Sequence, residues 1–161
     1  MHTRPPQRCV VFGLLLMLGQ GVITSRATAQ TLTIATNPAT LSVTTAVAGS
    51  EPNASAEDAS TGYTAVILLG TTKRIVAKLS SPLPAGVTLK VKLEATAGAS
   101  GSTSAGYVDL DIADRTVLST LAGGALGATY IGSISYTLVS TVAATPFTNT
   151  VVDVVFSIVN P

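Results

Sequence analysis

The sequence predicts an all-β protein, a single antiparallel β-sandwich of about seven to nine strands at residues 30–161, preceded by a signal peptide at residues 1–29. Three observations predict it. The chain is rich in Thr, Val, Ala, Ser and Gly, with 11% charged residues and no Trp. Thr and Val are stiff at χ1 and fit a pleated surface better than a helix. Where the pattern is regular its period is two, the signature of half-buried strands. Turn residues recur between these segments at near-even spacing, as in a sandwich or barrel.

The leader comes first. Arg4 and Arg8 stand before an apolar run from Cys9 to Leu18, and Ala27-Thr28-Ala29 precedes Gln30. A charged start, an apolar middle and an A-x-A end form the layout that signal peptidase cuts, here after Ala29. The run is interrupted by Gly19-Gln20-Gly21 and falls short of the roughly 20 apolar residues that a membrane span needs. The expectation is therefore a secreted chain (periplasmic, cell-surface or extracellular) with no membrane span in its mature form. Cleavage removes the only cysteine, Cys9, and the only histidine, His2. Six basic and eight acidic residues remain, a net charge of −2. A chain so balanced lacks the basic footprint of a nucleic-acid binder. Without disulfides, one hydrophobic core must hold the fold.

The strands follow in order. Expected segments are 31–36, 40–47, 63–69, 74–79, 86–95, 107–112, 116–121, 130–142 and 150–159. The clearest is Val87-Thr88-Leu89-Lys90-Val91-Lys92-Leu93-Glu94-Ala95, apolar at every odd position. Ile75, Ala77 and Leu79 alternate with Arg74 and Lys78 just before it, and the loop between carries Pro82 and Pro84. The two segments read as a hairpin that gathers Arg74, Lys78, Lys90 and Lys92 on its outer face. Residues 51–60 and 98–106 read as mobile loops.

Near the C-terminus, Gly132-Ser133-Ile134-Ser135-Tyr136-Thr137-Leu138-Val139-Ser140 resembles the penultimate strand of an immunoglobulin-like or fibronectin-type sandwich, the kind found in secreted bacterial surface and fimbrial modules. The resemblance implies that the Tyr136 hydroxyl caps a neighbouring corner and that Leu138 is a core position. The buried Trp and cysteine pair of that family have no counterpart here.

Chemistry-bearing residues are few. Asp109, Asp111 and Asp114 are the weak candidates for a Ca²⁺ site, since carboxylates two apart project from one strand face about 7 Å apart. The Gly and distal Glu of a calcium loop are missing, and the expected arrangement is a solvated face with Val108, Leu110 and Ile112 turned to the core. The same carboxylates lack a cleft for glycoside hydrolysis. A Ser-His-Asp triad has no base once His2 is gone, and zinc has neither His nor Cys. No phosphate loop is present. Asn53-Ala54-Ser55 is a glycosylation sequon in an expected polar loop.

No enzyme, cofactor or metal is expected. The reading is a structural or interaction protein at the cell surface, with strand edges at 31–36 and 150–159 offered to a protein partner or to a second copy. Thr150-Val151-Val152-Asp153-Val154-Val155-Phe156 is strongly β-prone and adhesive if left open; the alternative is an ordinary terminal strand. A second reading, a glycan- or ligand-binding module, needs Tyr63, Tyr107 and Tyr130 grouped on one concave face.

Overall fold

The computed structural model describes residues 30–38, 40–44, 51–144 and 151–161. Residues 1–29 and 45–47 fall outside them, and with them the leader and the end of the expected second strand. The described chain is all β, without a helix. Its strands are β1 (Thr31–Ile34), β2 (Asn53–Ala54), β3 (Asp58–Ile67), β4 (Thr72–Leu79), β5 (Val87–Gly98), β6 (Thr103–Ser104), β7 (Val108–Leu110), β8 (Arg115–Ala122), β9 (Ala128–Ser140) and β10 (Val154–Val159). They form two antiparallel sheets. The larger runs β1-β3-β9-β5-β7, with β2 paired to the end of β9, and the smaller runs β10-β4-β8-β6.

Period-two alternation builds the core between the sheets. Val87, Leu89, Val91 and Leu93 of β5 are buried, while Thr88, Lys90, Lys92 and Glu94 face outward. Ile134 and Tyr136 of β9 lie beside them, and Ile75, Ala77, Leu79, Val117, Leu118 and Leu121 close the core from the smaller sheet. Each such aliphatic side chain, fully buried, contributes about 1.5–3 kcal/mol. At the centre β9 has Gly132, where a Cβ would lie 1.8 Å from the Glu94 carbonyl and 2.7 Å from the Tyr63 ring. Only a residue without a side chain lets β3, β5 and β9 pack this closely.

The structure corrects several expectations. The segments around Lys78 and Lys90 are not a hairpin: β4 pairs with β10 and β8, whereas β5 pairs with β9 and β7. The connection at 80–86 therefore arches from one sheet to the other. Arg74 and Lys78 lie on β4 and Lys90 and Lys92 on β5, in different sheets, so no four-residue basic patch forms. Residues 40–44 are not a strand, although Leu41 packs against the core. The 51–60 stretch contains β2 and the start of β3, and the 98–106 stretch contains β6. Asn53 of the sequon sits in the β2–β9 ladder opposite Ser140 rather than in a loop. Ile112 is 62% exposed instead of turned to the core, because the chain leaves β7 after Leu110.

Candidate interaction edges

The first and last described strands build one flank of the molecule. β1 is the outer strand of the larger sheet, β10 is the outer strand of the smaller one, and the two touch. Neither Thr31-Leu32-Thr33-Ile34 nor Val154-Val155-Phe156-Ser157-Ile158-Val159 contains a charge. Among the described residues each pairs on one side only, β1 with β3 and β10 with β4.

The ladder fixes which backbone groups are left over. The Ser80 N–H donates to the Asp153 carbonyl at 2.9 Å, and Asp153 precedes the register Val154↔Leu79 through Val159↔Arg74. Antiparallel partners alternate between bonded and non-bonded pairs. Val155, Ser157 and Val159 thus bond β4, and the N–H and C=O of Val154, Phe156 and Ile158 point away from the sheet. On β1 the Ala35 N–H donates to the Gly62 carbonyl at 2.9 Å. By the same alternation Leu32 and Ile34 present their backbone groups outward. Side chains hold β10 in place: Val154, Phe156 and Ile158 pack against the core, while Val155 is 39% exposed on the outer face. A hydrogen bond from Lys73 Nζ to Asn160 Oδ1 ties down the end of β10.

The opposite flank is different. Its outer strands, β7 and β6, have three and two residues, and β7 carries Asp109 in an ion pair with Lys90 at 2.8 Å. Short strands and an edge charge are devices that discourage edge pairing. Among the described residues β10 is six residues long and uncharged and so lacks both devices, and β1 lacks the edge charge.

The three aspartates of the calcium candidate do not converge. Asp109 faces Lys90 and Asp114 faces Lys78 at 3.4 Å. Asp111 is bound by Arg115 and by the Ala113 N–H at 2.8 Å. Arg115 first, then that N–H, holds the Asp111 carboxyl below its usual pKa. Among the described residues no three His, Cys, Asp or Glu side chains are grouped to hold a metal ion.

The tyrosines divide. Tyr63, Tyr130 and Tyr136 are buried, and Tyr107 is 40% exposed, so Tyr63, Tyr107 and Tyr130 form no stacking platform. Among the described residues the Tyr130 hydroxyl caps backbone: it accepts from the Ala122 N–H at 2.9 Å and donates to the Ala122 carbonyl at 3.1 Å. It thereby links β9 to the end of β8 in the facing sheet. Leu138 is half-buried and packs against the core. Tyr107 belongs to a cluster that sequence reasoning missed. Hydrogen bonds from Tyr107 and Ser135, with the Lys92 charge beyond, hold Glu57 below its usual pKa. The Lys92 ammonium lies 5.1 Å from the centre of the Tyr107 ring, a cation–π distance, and 3.5 Å from Glu94. These polar groups satisfy one another on the outer face of the larger sheet.

No protein-family model, curated protein or solved structure matches this chain.

Proposed function

We propose that this chain is a non-enzymatic, secreted or cell-surface structural protein that assembles through its open strand edges. The observation that carries the reading is β10: an uncharged outer strand, packed by its side chains, with the backbone groups of Val154, Phe156 and Ile158 unpaired among the described residues. Such a strand is a ready template for another strand, and main-chain hydrogen bonds supply the affinity when one is added. Export follows from the charged, apolar and A-x-A layout of residues 1–29. The immunoglobulin-like resemblance at residues 132–140 supports a surface role.

The test is light scattering across a concentration series. Proline at Val154 removes an outward N–H and leaves the bonds to β4 intact, because edge positions facing away from the sheet tolerate proline. Growth into dimers or longer assemblies that Val154→Pro abolishes, with the circular dichroism unchanged, supports edge assembly. A monomer at every concentration, or growth that Val154→Pro leaves untouched, overturns it. A glycan-binding module is the second reading, and the exposed ring of Tyr107 is the one sequence-predicted tyrosine left to serve it.

A further inference from the structure

As an edge, β10 is complementary to itself. Its outward backbone groups belong to Val154, Phe156 and Ile158, spaced evenly about Phe156, while Val155, Ser157 and Val159 bond β4. A second copy of β10, laid antiparallel about an axis at Phe156, sets Phe156 opposite Phe156 and Val154 opposite Ile158. In that register every outward residue joins a bonded pair, and each such pair exchanges both of its N–H···O=C bonds. Sliding the copies by two residues, in either direction, leaves one outward residue of each facing beyond the end of β10. β1 offers only Leu32 and Ile34 outward, so joining β10 to β1 also leaves a β10 residue unmatched.

Side chains and charge agree with the backbone. Val154, Phe156 and Ile158 pack against the core yet remain half-buried. The Phe156-centred register meets each of them with an apolar partner, aromatic on aromatic at the axis and Val154 on Ile158 to either side. Directly opposite pairs of these kinds stabilise a ladder. On the outer face Val155, 39% exposed, lies opposite the exposed Ser157. Asp153 is the only charged residue between 151 and 161, and it falls opposite Val159 of the other copy. The length of the strand, roughly 20 Å, thus separates the two carboxylates, and no like charges face each other.

Building on edge assembly, we infer that the partner of β10 is β10 of a second copy, paired antiparallel about a two-fold axis at Phe156. The smaller sheets of the two copies then join into one, with β6-β8-β4-β10 running on into β10-β4-β8-β6. Such a contact is isologous, because the same strand serves both copies. It closes as a dimer and does not grow into an open chain.

Single thiols read the register. Val155 of one copy and Ser157 of the other form a non-bonded pair, with Cα atoms about 4.5 Å apart, within disulfide range. Val155 to Val155, or Ser157 to Ser157, is a diagonal of about 7–8 Å, outside the roughly 4.4–6.8 Å that a disulfide spans. Val155→Cys and Ser157→Cys are each made in the Cys9→Ser chain, which then holds one thiol. In a glutathione redox buffer, the mixture should form a covalent heterodimer at least about 10-fold faster than either variant alone forms a homodimer. Mass spectrometry reads the species, and circular dichroism confirms that both variants fold. Light scattering of the parent should stop at the dimer. Homodimers that form as fast as the heterodimer overturn the two-fold register, and so does growth past the dimer. No disulfide in the mixture, with concentration-dependent growth that Val154→Pro still abolishes, overturns the pairing of β10 with itself and leaves edge assembly standing. A parent that is monomeric at every concentration overturns both.

Discussion

Two buried tyrosines on adjacent strands should respond oppositely to loss of their hydroxyls. Tyr130 spans the core from β9 to the end of β8, where its hydroxyl meets the Ala122 N–H at 2.9 Å and the Ala122 carbonyl at 3.1 Å. Tyr63 on β3 is 2% exposed, and its hydroxyl has no hydrogen-bond partner among the described residues. Tyr130→Phe removes two bonds worth about 0.5–1.5 kcal/mol each and strands a partly buried N–H, whose full desolvation would cost about 1–3 kcal/mol. Ala122 itself reaches solvent, so water recovers part of that loss and the net cost is about 2 kcal/mol. Tyr63→Phe removes a hydroxyl that burial already penalises. It should fall within about 0.5 kcal/mol of the parent, or be more stable by up to about 1 kcal/mol. Urea denaturation followed by circular dichroism measures both. In a thermal scan the Tyr130 variant should melt about 6–10 °C lower, given the few degrees per kcal/mol expected for a domain of this size. Equal effects of the two substitutions, or a larger loss at Tyr63, would refute the assignment of the backbone cap to Tyr130.

Two further outcomes follow from the backbone and from the same core. Thr120 has φ 60° where the β4–β8 register shifts, a conformation that costs a residue with a side chain about 1–2 kcal/mol. Glycine there gives back about 0.5–1 kcal/mol in chain entropy, so Thr120→Gly should stabilise by about 0.5–1 kcal/mol, and a loss in urea denaturation would contradict the strained bulge. Burial pushes the Tyr63 hydroxyl up to about 12, and burial with the Asp58 charge does the same for Tyr136. Unfolded tyrosine titrates near 10, so above that pH the unfolded chain releases protons that the folded chain retains, and stability falls as pH rises from about 10 to 12. The fall should approach 1.4 kcal/mol per pH unit for each tyrosine, and Tyr63→Phe should make it shallower; an unchanged slope would contradict the burial of that hydroxyl.

Local pattern and chain position made part of the architecture legible. The alternation of Val87 through Glu94 marked β5, and Val152, Val154, Phe156 and Ile158 marked the inward face of β10. β1 and β10 were expected as edges, and among the described residues each is the outer strand of its sheet. Pairing partners were not legible where they depend on distant residues. Two alternating segments joined by a short proline-containing loop look the same whether they form a hairpin or an arch. What turns β4 away from β5 is its pairing with β10, about eighty residues on. The ion pairs of Asp109 and Asp114 show the same limit: Lys90 and Lys78 reach them only because β5 pairs with β7 and because β4 meets the loop before β8. Tyr107, Glu57 and Ser135 come from three separate segments and share no spacing that could have linked them. Tyr130 and Tyr136 occupy equivalent inward positions on one strand, and it is the end of β8 that gives the Tyr130 hydroxyl its backbone partners.

The most direct test of edge assembly is residue-resolved amide hydrogen exchange along β10 at low and high protein concentration. In dilute solution Val155, Ser157 and Val159, which bond β4, should exchange slowly, and Val154, Phe156 and Ile158 should exchange quickly. At high concentration the second set should become protected as a neighbouring strand takes up its N–H groups. Protection of Val154, Phe156 and Ile158 that does not change with concentration, whether strong or absent, would contradict the account.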